Sequence, residues 1–307
     1  MAKPLTRVLR KICNWMGYDL LRMQKSRIHP EAVSGLGRGG GFDAFEAIAP
    51  RETRQLDIYL RSCARIEVFA QARGRFIGVP KCEVVVRCLN SLVRAVAYAR
   101  SQGLETPVRL TVLDDHSSED CIARIKAVLA TASCPTQFRP LSGTGVGASL
   151  TETYELARAE AKDLIYFTAD DYLHDERAVL ELVQSYQRLA PVLGQDPVLF
   201  VSDYPNCYKH VYPTHVLLGS HRHWRSVPNT TGADMISREI LIKYWDIYKA
   251  FGRYGVDPAV TEENTIDRIY QEVPCYSPLP SLAVHFQHFD TLSPYFDWEK
   301  WWKAAAV

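Results

Sequence analysis

Two pairs of adjacent carboxylates, Asp114-Asp115 and Asp170-Asp171, each close a short apolar run. Residues 108–113 lead into Asp114-Asp115-His116-Ser117-Ser118-Glu119-Asp120, and residues 164–168 lead into Ala169-Asp170-Asp171-Tyr172. Like charges side by side repel, so such pairs are poor stability features. Their natural uses are to hold a divalent cation or to accept hydrogen bonds from a sugar or a base. Mg²⁺ and Mn²⁺ are commonly held by one or two carboxylates together with substrate phosphates. The plainer reading makes Asp114, Asp115 and Asp170 turn and cap residues.

Other residues carry weaker chemistry. Gly143, Gly145 and Gly147 form a loop ahead of a helical pattern, and Gly143-x-Gly145-x-x-Ala148 also fits a dinucleotide fingerprint with Asp170 at the next strand end. Against that fit, residues 136–141 are polar and contain Pro140, whereas a central parallel strand is almost wholly apolar. His221, Arg222, His223, Trp224 and Arg225 offer donors suited to a diphosphate and an aromatic face suited to a sugar ring. A solvated basic stretch is the bland alternative. A zinc site at His221 and His223 lacks a third ligand at a metal-like spacing.

The elements that position these residues are read from periodicity. Strands are expected at 65–70, 108–113, 136–141, 164–168, 198–201 and 282–286. Helices are expected at 82–100, 119–132, 149–161 (opened by a Ser149/Glu152 capping box), 175–189, 237–251 and 262–271. Strands alternating with helices argue an α/β fold with a mostly parallel sheet and right-handed crossovers, in which ligands sit beyond the carboxyl ends of the strands. Residues 203–233, rich in Pro, His, Tyr, Asn and Gly, read as an active-site loop. Tyr295, Phe296, Trp298, Trp301 and Trp302 make a dense aromatic tail expected to dock on the body.

Composition narrows the class. The chain has 307 residues, 47% hydrophobic, with a formal net charge of +1, which argues against a dedicated nucleic-acid binder. No run of 18 apolar residues exists to span a membrane. Residues 1–27 hold seven Lys and Arg against the single Asp19, and Leu5, Val8, Leu9, Ile12, Met16 and Leu20 recur at helical spacing. This arm suits an amphipathic helix on an anionic membrane surface, or one packed on the body. Glycines at 35, 37 and 39–41 mark a linker. Eight dispersed cysteines without a CxxC read as reduced thiols of a cytoplasmic protein, with peripheral contact at the cytoplasmic membrane face through the arm.

Taken in order, the segment 113–120, the glycine loop 142–148 and the segment 165–171 resemble the motifs of the inverting nucleotide-sugar glycosyltransferases of family 2, with the fold called GT-A. The resemblance covers about residues 65–290. It implies a single Rossmann-like nucleotide-binding domain with a mostly parallel, mixed sheet, comprising a donor half (65–202) and an acceptor half (203–290). Residues 1–64 would then be arm and linker, and residues 291–307 the tail. It further implies that Asp115, beside Asp114, binds the base, with Gly145 in the nucleotide loop. Asp170 and Asp171 would meet the ribose and a Mn²⁺ or Mg²⁺ ion, with His285 or His288 as a further ligand. The second member of an acidic pair would be the catalytic base, which makes Glu263 the candidate and Glu262 the alternate; two glutamates complementing a helix dipole are the rival reading. Glu119 stands where the first motif has its last Asp, and the metal motif usually has Asp where Thr168 or Ala169 stands, which leaves Asp171 as the first choice of metal ligand. The implied partners are a nucleoside-diphosphate sugar and a glycan or lipid-linked acceptor. A NAD(P)-dependent enzyme and a non-catalytic nucleotide-sugar-binding protein are the alternatives.

Overall fold

The computed structural model describes residues 48–65, 78–209, 213–229 and 232–307, with Cys13 and Met16. The rest of the basic arm, the glycine-rich stretch and residues 66–70 of the expected first strand lie outside them. The first described strand is β1, Leu56–Ser62, in a segment expected to be linker. Asp57 interrupts its apolar run and hides it in the sequence. That carboxylate is fully buried, and it accepts from Arg109 Nε at 2.7 Å, the Lys162 amide at 3.0 Å and the Gln55 side chain. A buried charge persists only with such partners.

β1 lies between β2 (Val108–Asp114) and β4 (Leu164–Ala169) and runs parallel to both, while β3 (Thr136–Pro140) adds a parallel strand beyond β2. The apolar residues of β1, β2 and β4 suit strands covered on both faces. The polar β3, with Pro140, suits a sheet edge. Helices α1 (Lys81–Ser101), α2 (Glu119–Leu129) and α3 (Val146–Glu160) belong to this half. Ser118 Oγ caps α2 by accepting from the Cys121 amide. The expected capping box of α3 is not formed. Gly145 precedes the helix, Ser149 is buried within it, and Glu152 reaches back to the Ser142 and Gly143 amides.

The second half contains β5 (Tyr172–His174), α4 (Ala178–Leu193), β6 (Val198–Phe200), β7 (Val216–Leu218), β8 (His223–Ser226) and β9 (Asp234–Ser237). It continues with α5 (Arg238–Lys243), α6 (Trp245–Phe251), β10 (Cys275–Leu279), β11 (Ala283–His285) and α7 (Trp298–Ala304). The segment expected as a loop thus carries two strands, and the helix expected over 237–251 is interrupted at Tyr244. The helix expected at 262–271 is a 3₁₀ helix, Ile266–Gln271, so Glu262 and Glu263 sit in the turn ahead of it.

Among the described residues, nine strands form one sheet in the order β3-β2-β1-β4-β9-β6-β10-β8-β7, and β5 pairs with β11 apart from it. The expected mixed sheet flanked by helices is therefore present, with its parallel part at β3-β2-β1-β4. Apolar side chains of α1, α2 and α4 cover one face, and those of α3, α5 and α6 the other. The aromatic tail docks on α1: Trp302 stacks on Phe286 at 4.8 Å, and the Arg87 guanidinium lies 4.5 Å from its ring. All eight cysteines are free thiols. Among the described residues, no helix is long and apolar enough to cross a membrane.

Candidate active site

Parallel pairing sets the carboxyl ends of β1, β2 and β4 side by side, with Ser62 opposite Asp114 and Arg61 opposite Ala169. The two members of the first acidic pair have different tasks there. Asp114 is buried and accepts from Ser62 Oγ, Ser117 Oγ (both 2.7 Å) and the Ser117 amide (2.9 Å), so it stitches the turn together rather than facing a ligand. Asp115 Oδ1 accepts from Arg65 and from the His116 ring, each at 3.0 Å, and its Oδ2 accepts from the Gly145 amide at 2.7 Å. Burial alone would raise this carboxyl. The hydrogen bonds from His116 and Gly145 and the charge of Arg65 outweigh it and hold the group below its ordinary value. Gly145 has φ of 88°, a conformation that favours glycine, and it aims its amide at Asp115.

The second pair divides likewise. Asp170 is committed to the protein: Lys81 Nζ lies 2.6 Å from Oδ1, and the Cys63 amide donates to Oδ2 at 2.7 Å. Asp171 Oδ2 faces His285 Nε2 at 3.1 Å, while its Oδ1 is buried without a hydrogen-bond partner. Burial would raise Asp171, but the charge and hydrogen bond of His285, with Lys81 and Arg61 nearby, bring it below its ordinary value. His285 stacks flat on Tyr172 at 5.1 Å, and its Nδ1 meets the Tyr204 hydroxyl at 2.9 Å. Its sequence neighbour His288 caps the short 3₁₀ helix Phe289–Thr291 instead.

Beside these strand ends a cavity opens to solvent. Arg61, Asp234 and Glu262 supply its charges, and Tyr154, Phe167, Tyr248, Phe251 and Tyr254 its aromatic wall. Glu262 faces this cavity, whereas Glu263 is exposed. Burial, with Asp267 nearby, pushes Glu262 up to about 7, although His285 pulls the other way. Burial also pushes Asp234 up to about 7, partly offset by Arg61.

The Asp234 shift carries a stability consequence. The folded chain holds a proton there that the unfolded chain releases near 3.8, so stability falls as pH rises from about 4 to about 7. Asp234→Asn is therefore expected to stabilise the protein by on the order of 1–2 kcal/mol at about pH 8 and to leave it unchanged at about pH 4. Thermal melts at the two pH values check this, and equal effects at both would refute it.

The basic stretch expected to meet the substrate serves the fold. Arg222 donates to Glu181 at 2.8 Å and to the carbonyls of Pro280 and Ser281. Trp224 is fully buried, with its indole N–H on Ser185, and Arg225 is buried against Asp203 and the Tyr208 ring. The hydrogen bonds they make go to other residues of the chain. Sequence reasoning missed Arg61 and Lys81, because the strand carrying Arg61 was read as linker and Lys81 opens a helix read only for its apolar stripe.

No family model matches the chain, and no curated protein matches its sequence. Solved structures do match, at low identity. Staphylococcus aureus TarS (residues 1–349) aligns with a TM-score of 0.42 and 14% identity, over 73% of this chain and 60% of that one. The glycosyltransferase GlyE of Streptococcus pneumoniae gives 0.42 and 10%, over 83% and 61%. UDP-glucose pyrophosphorylase from Acinetobacter baumanii gives 0.42 and 8%, over 83% and 92%. This chain thus spans about three-fifths of the first two. At that level of likeness, only its own side chains bear on what it does.

Proposed function

We propose that the chain transfers a sugar from a nucleoside diphosphate to a hydroxyl acceptor, with Glu262 as the general base. The observation that carries this reading is Glu262 itself, a carboxyl near neutrality on the wall of a cavity that opens where β1 and β4 end. A hydroxyl is a poor nucleophile, and a base whose pKa lies near the working pH takes its proton most effectively as the new bond forms. Attack from the face opposite the leaving diphosphate inverts the anomeric centre. Asp115 uses three of its roughly four acceptor positions within the protein, which leaves one for a donor on the base. Its low pKa keeps it an acceptor.

Asp171 and His285 are the residues that would hold a divalent cation. The orphaned Asp171 Oδ1 and the Tyr204 bond that orients His285 both fit that task, whereas Asp170 is spent on Lys81. Among the described residues no third His, Cys, Asp or Glu joins them, so the remaining ligands would come from the diphosphate and water. A cation bound there would offset the charge that develops on the leaving phosphate. Arg61, which lines the cavity, adds a fixed positive charge.

The alternatives have less support. A dinucleotide site would need Asp170 free for a ribose, and Lys81 covers it. A non-catalytic role would suit a cleft with no glutamate in it, and Glu262 is in it. A thermal-shift panel of UDP, GDP, dTDP, CMP, NAD and NADP, each with Mn²⁺, Mg²⁺ or a chelator, tests the reading. One nucleoside diphosphate is expected to stabilise the chain by about 2.7 kcal/mol at about 100 times its Kd. A shift with NAD or NADP alone would overturn the proposal.

A further inference from the structure

The cavity beside Glu262 has a second carboxyl, Asp234, at the start of β9, paired in register with Phe167 at the end of β4. Among the described residues, neither carboxyl accepts a hydrogen bond. Among the described residues, Arg61 is the cation lining the same cavity, and it can balance one of the two. Above about pH 7, where both acids ionise, one negative charge has no counter-charge among the described lining residues, which are otherwise aromatic and aliphatic. Tyr154 meets Phe167 edge-on at 5.1 Å and Tyr248 edge-on at 5.0 Å, so the wall is a fixed aromatic surface rather than loose side chains.

These features restrict what fits. A phosphate would be repelled by the two carboxyls, so the diphosphate would lie outside, toward Asp171 and His285. A purely apolar group would leave both acids without partners, at a cost. A sugar ring presents C–H faces to aromatic rings and hydroxyls to carboxylates, and a single ammonium on it would cancel the leftover charge. We infer that this cavity receives an amine-bearing sugar, selected over its hydroxyl and N-acetyl counterparts by Asp234 and Glu262. The inference rests on the proposed transferase reading and names the sugar class for it.

Ligand-observed NMR titrations of the full chain at about pH 7.5 with glucosamine, glucose, N-acetylglucosamine and n-butylamine test it. Glucosamine is expected to bind about tenfold or more tightly than the other two sugars, the size of one charged hydrogen bond. Asp234→Asn should remove that preference. Equal binding of the three sugars, binding of none, or a preference that survives Asp234→Asn would each overturn the inference. Butylamine binding as tightly as glucosamine would also overturn it, since the ring would then contribute nothing. The wild-type comparison needs no variant to fold. Nucleoside-diphosphate shifts on the same samples separate the two levels. If they persist without amine selectivity, only this inference fails, and if they are absent, the transferase reading fails.

Discussion

Glu262→Gln lowers the release of nucleoside diphosphate from the sugar donor by about 10²- to 10⁴-fold and leaves nucleoside-diphosphate binding unchanged. Glu263→Gln has near wild-type activity. The difference follows from position: one glutamate faces the cavity, and its sequence neighbour is exposed. The base must be ionised to work, so activity is expected to rise with pH through about 7, the value to which burial and Asp267 push Glu262. Loss of that limb in Glu262→Gln would tie it to this carboxyl. A Glu262→Gln enzyme of full activity, or a Glu263→Gln enzyme as slow as expected for Glu262→Gln, would refute the assignment.

The second large effect concerns the buried pair below the site. Lys81→Met leaves Asp170 buried with its Cys63 bond but no counter-charge, and such truncations cost about 3–5 kcal/mol. Adding Asp170→Asn removes the stranded charge and is expected to restore most of that loss. Urea unfolding of the two variants measures both steps. A Lys81→Met protein within about 0.5 kcal/mol of wild type would mean that the pair behaves like a surface contact.

What the sequence revealed and what it concealed divide along one physical line. The placement of Asp115, Asp171 and Gly145 at the strand ends was legible because strand ends in an α/β sheet converge and because carboxylate pairs and glycine loops keep their character in any register. Glu262 was legible only as one of two, since a turn exposes one neighbour and buries the other. Lys81 was invisible because its meaning depends on Asp170, 89 residues away. Trp224 and Arg225 misled for the converse reason. An aromatic ring or a guanidinium looks the same in sequence whether it faces a sugar or, as here, Ser185 and Asp203. β11 was legible as the strand expected at 282–286, but β5 and its pairing with β11, which brings His285 beside Asp171, were not.

The placement of β1 between β2 and β4 bears on how the protein is made. Its Ser62 bonds Asp114, 52 residues on, and its next residue, Cys63, bonds Asp170, 107 residues on. Contacts of such sequence separation carry a loop-closure cost before they stabilise anything, so this part of the sheet forms slowly. During synthesis β1 emerges with both edges bare and keeps one bare until residues 164–169 leave the ribosome, an interval in which strand-to-strand aggregation competes with folding. The same order of assembly means that no amino-terminal fragment ending before β4 can bring these strand ends together.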